Sequence, residues 1–517
     1  MTPREQQAPR EAAPGRAGVA GQEPAGDPAP DLAAWLIALA CFAAYAVISV
    51  SRYVRLDPGS WDLGIFTEYV RQVAHLRAPV VAIRGSGFDL FGDHFQPIVG
   101  LLAPLFRLFP TPVTLLVAQA LLTAVSVVPV CRAAQLKLGT WPSRAIGAAY
   151  GFSWGLQQMI NFDFHEIAFA VPLLAFSLSA LVRRRPRATV LWALPLVLVK
   201  EDQGFTLAAI GLVMVGMGLA RYRRGDAPGD PGQAAARWVW AGALLALWGL
   251  AWSLAAIVWL IPHFNPVHAY PYWKNGGVVA PGGHLSAAAV WRQLTASGSE
   301  KLHTTLLVLL PVAFLALRSP LALAAVPSLA LRFVSTNGYF WGTGWHYNAT
   351  VMPIVFLAAI DGMARMAARS AGRPRLGEAV ARYGGLAMVG IAAWLALSNP
   401  LASLWNPQTY VISAHVRAEQ AAMARVPPGT TVEATLSMLA TLASRDTTFW
   451  VGSTGDTDPR YIVFDQSNSG YSPPPANVLS FVDGQHPGYA YRQVFEDNTV
   501  YVFRLAGTAR QPSATGG

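Results

Sequence analysis

Long apolar runs separated by short arginine-bearing linkers constrain this chain more than any other feature. Residues 33–50, 114–136, 145–160, 167–182, 188–199, 204–220, 238–261, 304–317, 321–334, 348–366 and 384–397 read as about eleven spans, several below the roughly 20 residues that cross a bilayer squarely. A backbone in hydrocarbon must satisfy its own hydrogen bonds, so such runs imply packed helices. Only 13% of residues are charged, against about 25% in soluble proteins. The formal charge of +10 does not mark a nucleic-acid binder, because the arginines cluster between apolar runs, as in cytoplasmic loops. The expected fold class is therefore mainly α, a polytopic transmembrane helical bundle.

Placing Arg132/Lys137/Arg144, 183–187, 221–237, Arg318 and 365–375 inside gives a cytoplasmic N-terminus and an external C-terminus. Scarce lysine with abundant Ala, Arg and Gly suggests a GC-rich bacterial genome, and the apolar spans then place the chain in the bacterial plasma membrane as a multi-pass protein. Residues 1–31 are expected to be a disordered cytoplasmic segment that cannot bury a core. They carry acids before the apolar run and make a poor cleavable signal, so 33–50 reads as an anchor. Residues 32–399 form the transmembrane domain. From about Pro400 the character changes: TTVEAT, TTFWV, RYIVFD and VFEDNTVYVFRL read as strands and LSMLATLASR as a helix. Residues 400–507 are expected to form a small external α/β domain that holds an acceptor or a protein partner, and 508–517 a flexible tail.

The first external loop, 51–110, is unusually polar for this chain. Its segment 60–97 holds Asp62, Glu68, Asp89, Asp93, His75 and His94. Ser60 is expected to cap an amphipathic helix from about Trp61 to Leu76. Leu63, Phe66, Tyr69, Val70, Val73 and Leu76 make its apolar face, with Glu68, Arg71, Gln72 and His75 opposite. Asp62 falls on the apolar side, where an acid costs energy unless it is paired or used. It reads either as a general base or as a first-turn acid paired with Arg52 or Arg55. Pro97 and Pro104 interrupt 95–109, which reads as an interfacial helix.

Further ionisable clusters interrupt apolar sequence, where they usually mark a cavity or a pathway. Asp163, His165 and Glu166 lie in NFDFHE, and Lys200, Glu201 and Asp202 in LVLVKEDQGF. The alternative is an internal salt bridge from Lys200. Asp89, Asp93 and His94 in FDLFGDHFQP are candidates for sugar binding or for a divalent cation such as Mn, Mg or Zn. They also suit a simple turn at Gly92. Arg332 and Lys274 are cations on the expected outer face, placed to meet a lipid phosphate. His346 and Tyr347, in WHYNATVMP, complete the substrate-binding candidates. Cys41 and Cys131 lie in or at the ends of apolar runs and imply no disulfide framework.

The order WDLGIF…HFQP, a proline-flanked apolar segment, NFDFHE, KED and WHYNATVMP resembles the polytopic membrane family of domain of unknown function 2079. That family is in turn similar to GT-C-type glycosyltransferases. The resemblance runs from about Leu36 to Phe503. It implies an essential acid early in the first external loop, the place of Asp62. Leu63 stands where the second acid of an Asp-Glu pair often follows. It also implies a polyprenyl-phosphate-linked sugar as donor, with membrane lipid around it and a glycan, lipid or protein as acceptor. The expected activity is inverting sugar transfer with Asp62 as base. A transporter or lipid flippase is the main alternative, although no repeated halves are visible. A membrane scaffold with an external binding domain is the third.

Overall fold

The computed structural model describes residues 31–224, 231–273, 286–369, 374–453, 455 and 457–508. The expected N-terminal segment (Asp31 apart), Lys274 and nearly all of the expected tail lie outside them. Among the described residues, six helices are long and apolar enough to cross a membrane: Leu32–Val54, Val113–Leu138, Gln203–Arg224, Gly232–Phe264, His346–Ala368 and Leu376–Ala396. Four shorter apolar helices accompany them: Pro97–Leu108, Glu166–Val182, Pro186–Leu198 and Pro320–Val334.

The first helix shows how the sequence divides its faces. Ala34, Ala38, Cys41, Tyr45 and Ile48 recur at three- and four-residue spacing and are buried. Leu32, Trp35, Leu36 and Leu39 point outward, as lipid-facing residues do. Asp31 caps the helix by accepting from Ala33 N–H. Both cysteines are buried and free.

Two expected spans are broken. Residues 145–160 divide into Thr140–Gly151 and Trp154–Asn161. Residues 304–317 begin in the helix Gly298–Leu309, then pass into two 3₁₀ turns, Leu310–Val312 and Leu315–Arg318. Pro311 lacks the N–H that would continue the helix, and Ala313 and Phe314 turn left-handed at φ +48° and +60°. A third break, Lys200–Asp202, separates Leu194–Leu198 from Gln203–Arg224.

Helices Gln203–Arg224 and Pro231–Ala255 cross at glycines. A Cβ on Gly204 would lie 2.3 Å from Gly249 O, and one on Gly211 would lie 2.4 Å from Gly242 O. Small residues at such a seam let two backbones approach closely.

The C-terminal part is a five-stranded sheet in the order β2-β1-β3-β5-β4. Strands β1 (Thr431–Ala434), β2 (Thr447–Trp450) and β3 (Tyr461–Asp465) pair in parallel. Strands β4 (Tyr489–Asp497) and β5 (Val500–Thr508) form an antiparallel hairpin that joins β3 through β5.

This sheet domain packs on the first external loop. Trp61 meets Trp450 edge to face at 4.8 Å, and Tyr53 bonds Thr441 at 3.2 Å. Arg71 Nη2 donates to Asp446 O at 2.8 Å, and Ser453 Oγ to Ile83 O at 3.2 Å. Gly64 admits the helix Leu436–Ala443, since a Cβ there would stand 3.3 Å from that of Leu439. The loop helix, Asp62–Ala74, is consequently buried along Leu63–Val70 on all sides. Its expected polar face is thus corrected. Glu68 is fully buried, 3.3 Å from Arg71 and bonded by Ile83 N–H. Leu76, expected on the apolar face, is 91% exposed. A helix wheel sees one chain segment; the sheet domain supplies the second buried face.

Candidate active site

Asp62 opens the loop helix, and its surroundings are built by three separate segments. Ser60 Oγ donates to Asp62 Oδ2 at 2.8 Å and accepts Asp62 N–H at 2.9 Å. Ser60 therefore holds the acid and also accepts the N–H of Asp62, the first residue of the helix. Asp163 Oδ2 accepts N–H groups from Gly59 at 2.7 Å and Ser60 at 3.3 Å, pinning the backbone that carries Asp62. Asp163 adopts φ +76°, a conformation uncommon outside glycine. Gln119 braces it from the membrane helix, donating to Asp163 O and accepting His165 N–H at 3.0 Å.

Arg52 and Arg55 pair with Asp57, each at 3.5 Å, rather than with Asp62. Asp62 is only partly exposed. Burial raises its carboxyl above the ordinary value; Glu166 adds to the rise, while His165, Ser60 and Lys200 oppose it. A carboxylate raised by burial holds a proton more tightly and is a better base near neutral pH.

Lys200 and Glu201 join two charge clusters. Lys200 Nζ lies 3.1 Å from Glu166 Oε1, and His165 Nδ1 lies 2.5 Å from Glu166 Oε2. His165 stacks on His346 with ring centres 3.6 Å apart. His346 is buried, and neither ring nitrogen has a hydrogen-bond partner among the described residues. On the other side, Glu201 Oε1 receives His94 Nδ1 at 2.7 Å and Tyr270 OH at 3.1 Å. Tyr272 stacks on His94 at 4.4 Å and donates to Asp93 Oδ1 at 3.2 Å. Arg84 pairs with the same Asp93 oxygen at 3.3 Å. Consecutive residues thus tie NFDFHE to HFQP, two motifs far apart in sequence.

Other expected site residues have local roles. Asp89 accepts Phe91 N–H at 2.9 Å and shapes the turn before Gly92. Among the described residues, the ligand atoms of Asp89, Asp93 and His94 do not come together as a group of three. The carboxyls of Asp89 and Asp93 are engaged by a backbone N–H and by Arg84 with Tyr272. Asp202 accepts from Gln203 Nε2 at 3.1 Å.

Arg332 is buried and donates to Phe340 O at 2.8 Å, Asn348 Oδ1 at 3.0 Å, Gly342 O at 3.3 Å and Tyr347 O at 3.4 Å. Its guanidinium staples the loop before WHYN, and Tyr347 lies beneath it. The expectation that it faces a lipid phosphate is corrected on that geometry. Lys274 lies outside the described residues.

Sequence reasoning passed over Arg84, Gln119, Tyr270 and Tyr272 as site residues. A lone amide inside LLVAQALL and the aromatic run YPYW were the available signals.

A cavity of about 600 Å³ lies elsewhere, among Arg184, Arg221, Arg224 and Arg365 at the arginine-rich helix ends. The site around Asp62 is defined by its charges and bonds rather than by that cavity.

In overall shape, the chain is similar to ArnT from Cupriavidus metallidurans bound to undecaprenyl phosphate. The match has TM-score 0.50 and 14% identity, covering 90% of this chain and 97% of that one. The oligosaccharyltransferase of Archaeoglobus fulgidus in its apo form also aligns, at 12% identity over 83% of this chain and 70% of that one. Its TM-score is 0.37. No curated protein matches by sequence. Residues 52–475 match the family described as predicted membrane protein DUF2079. The chain belongs to that DUF2079 family of membrane proteins, built on a fold like that of the GT-C glycosyltransferases.

Proposed function

We propose that this protein transfers a sugar from a polyprenyl-phosphate donor to an acceptor hydroxyl at the outer face of the membrane. Asp62 takes the hydroxyl proton. The hydroxyl oxygen attacks the anomeric carbon, and the bond to the lipid phosphate breaks with its electron pair on the phosphate oxygen. Configuration at the sugar inverts. A positioned base commonly contributes about 10²–10⁴ in rate. Lys200, paired with Glu166 in the charge cluster beside Asp62, supplies the cation that balances the departing phosphate. Stabilising charge that develops in the transition state is commonly a large catalytic term. His346, buried against His165, keeps both ring nitrogens without a hydrogen-bond partner among the described residues beside this cluster.

One observation carries this reading. Asp62 is partly exposed and held by Ser60, which Asp163 holds in turn, beside the Lys200–Glu166–His165 cluster. The fold likeness to ArnT supports it. Direct packing of the sheet domain on the Asp62 helix suits that domain to presenting an acceptor.

The test is sugar transfer by the full chain in lipid, with a panel of polyprenyl-phosphate sugars and Asp62→Asn alongside. Release of polyprenyl phosphate that disappears in the folded variant supports the proposal. Turnover that survives Asp62→Asn removes Asp62 as the base, and no turnover with any donor removes the enzyme reading.

A further inference from the structure

The sheet domain carries a second cluster, remote in sequence from Asp62. The parallel strands β1 and β3 end side by side, and Asp465 is the last residue of β3. Thr435, just beyond β1, accepts Asp465 N–H at 3.1 Å. The carboxyl ends of parallel strands are a common place for ligand sites. The helix Ala414–Ala424 carries His415 and Glu419, four residues apart and therefore on one helical face. Ligand atoms of His415, Glu419 and Asp465 all lie within 4.8 Å of one another. Among the described residues, no other three His, Cys, Asp or Glu side chains meet that condition. Glu419 and Asp465 are 2% and 0% exposed, while His415 keeps an open side.

Hydrogen bonds aim these atoms at one point. His415 Nδ1 lies 3.0 Å from Asn498 O, and a carbonyl only accepts, so Nδ1 carries the proton. In the neutral ring, Nε2 then presents a lone pair, 3.0 Å from Asp465 Oδ2. Two facing lone pairs need positive charge between them, either a second ring proton or a cation. A backbone carbonyl that fixes the far nitrogen is the usual support for a metal-binding histidine. The carboxylates are braced as well. Asp465 Oδ1 accepts from Ser467 N at 3.0 Å, Ser467 Oγ at 2.7 Å and Asn468 N at 3.3 Å. Glu419 Oε1 accepts from Ser437 Oγ.

We infer that His415, Glu419 and Asp465 bind one divalent cation of the zinc or manganese class. One nitrogen and two oxygens, without sulfur, suit those ions. Bonds of about 2.0–2.2 Å would place tetrahedral ligand atoms roughly 3–3.5 Å apart, within reach of modest side-chain rotation. Three protein ligands leave a coordination position for water or an incoming oxygen. The site lies in the sheet domain and does not depend on the reaction assigned to Asp62.

The experiment uses the full chain in detergent, stripped with a chelator and then titrated with Co²⁺ while the visible ligand-field bands are recorded. Zn²⁺ competition and thermal unfolding with and without Zn²⁺ accompany it. The expected result is a Co²⁺ spectrum displaced by one equivalent of Zn²⁺, and an unfolding midpoint that rises with Zn²⁺. Loss of an outer-shell partner costs about 10–100-fold in affinity, so His415→Ala and Glu419→Gln should each lose at least about 100-fold. Asp62→Asn should retain the equivalent. Glu419→Gln keeps an acceptor for Ser437 and decides the matter if His415→Ala fails to fold. Absence of binding in the wild type overturns the inference and leaves a protonated His415 paired with the acids. So does an equivalent that persists in folded Glu419→Gln, or one lost in Asp62→Asn while His415→Ala keeps it.

Discussion

Gly211 offers a test of the helix seam behind the Lys200–Asp202 break. A Cβ at Gly211 would stand 2.4 Å from Gly242 O, 2.7 Å from Ala246 N and 3.0 Å from Ala246 Cβ. The first two are backbone atoms, which no rotamer change can move aside. Restoring ordinary contact requires the helices to part by roughly 1 Å, and overpacking of this kind costs about 1–3 kcal/mol. A gap of about 0.5–1 Å along the rest of the seam forfeits a quarter to a half of each dispersion contact. Alanine regains about 1 kcal/mol of helix propensity over glycine. The net expectation for Gly211→Ala is destabilisation of about 1–2 kcal/mol, by the overpacking and dispersion costs less that gain. Gly216, on the same helix, is the internal control, because a Cβ there meets nothing within 4 Å. Gly216→Ala should show only the gain in propensity and stabilise by up to about 1 kcal/mol. Thermal unfolding of both variants in one detergent at one scan rate gives the ranking. If Gly211→Ala unfolds at or above Gly216→Ala, the close crossing does not exist in the molecule.

Three further expectations follow from single contacts. Asp163→Asn weakens charge-assisted bonds to Gly59 and Ser60 and should lower the transfer rate about 10–100-fold, at roughly 1.4 kcal/mol per decade. KM for the lipid donor should stay unchanged, and an equal rise in KM would argue against a positioning role. Burial raises Glu68 to about 7 from an ordinary 4.5, so the folded state binds this proton more tightly than the unfolded chain. Its contribution to stability therefore falls as pH rises from 4.5 to about 7 and is level above that; the unfolding difference between wild type and Glu68→Gln should change only in this window. Arg332→Met removes the donor from four acceptors, of which Gly342 O still accepts from Asn348 Nδ2, and should destabilise by about 2–4 kcal/mol, while the folded fraction keeps its affinity for polyprenyl phosphate in a direct lipid-binding assay.

Much of the architecture was legible because apolar runs and turn residues act locally. The first helix, the second span (as Val113–Leu138) and the β-rich C-terminal segments stand near where composition and periodicity put them. The loop helix ends at Ala74, close to the expected Leu76. Failures arose where a local pattern met an unseen neighbour. Glu68 looked solvated because the covering sheet domain lies hundreds of residues later. Arg332 looked free for phosphate because the carbonyls that take its donors belong to an irregular loop without periodicity.

The sequence by itself determined a many-helix membrane chain, an acid at Asp62 in a polar loop and two ionisable motifs, NFDFHE and KED, in apolar surroundings. Those are properties of composition and spacing, and they survive any arrangement of the helices. Only the tertiary structure decided that Lys200 reaches Glu166 while the adjacent Glu201 reaches His94. It also decided that Asp163 holds the turn carrying Asp62, and that Gly64 of WDLGIF is a landing place for the sheet domain. Contacts between residues tens to hundreds of positions apart depend on how helices pack, and short-range patterns carry no record of that.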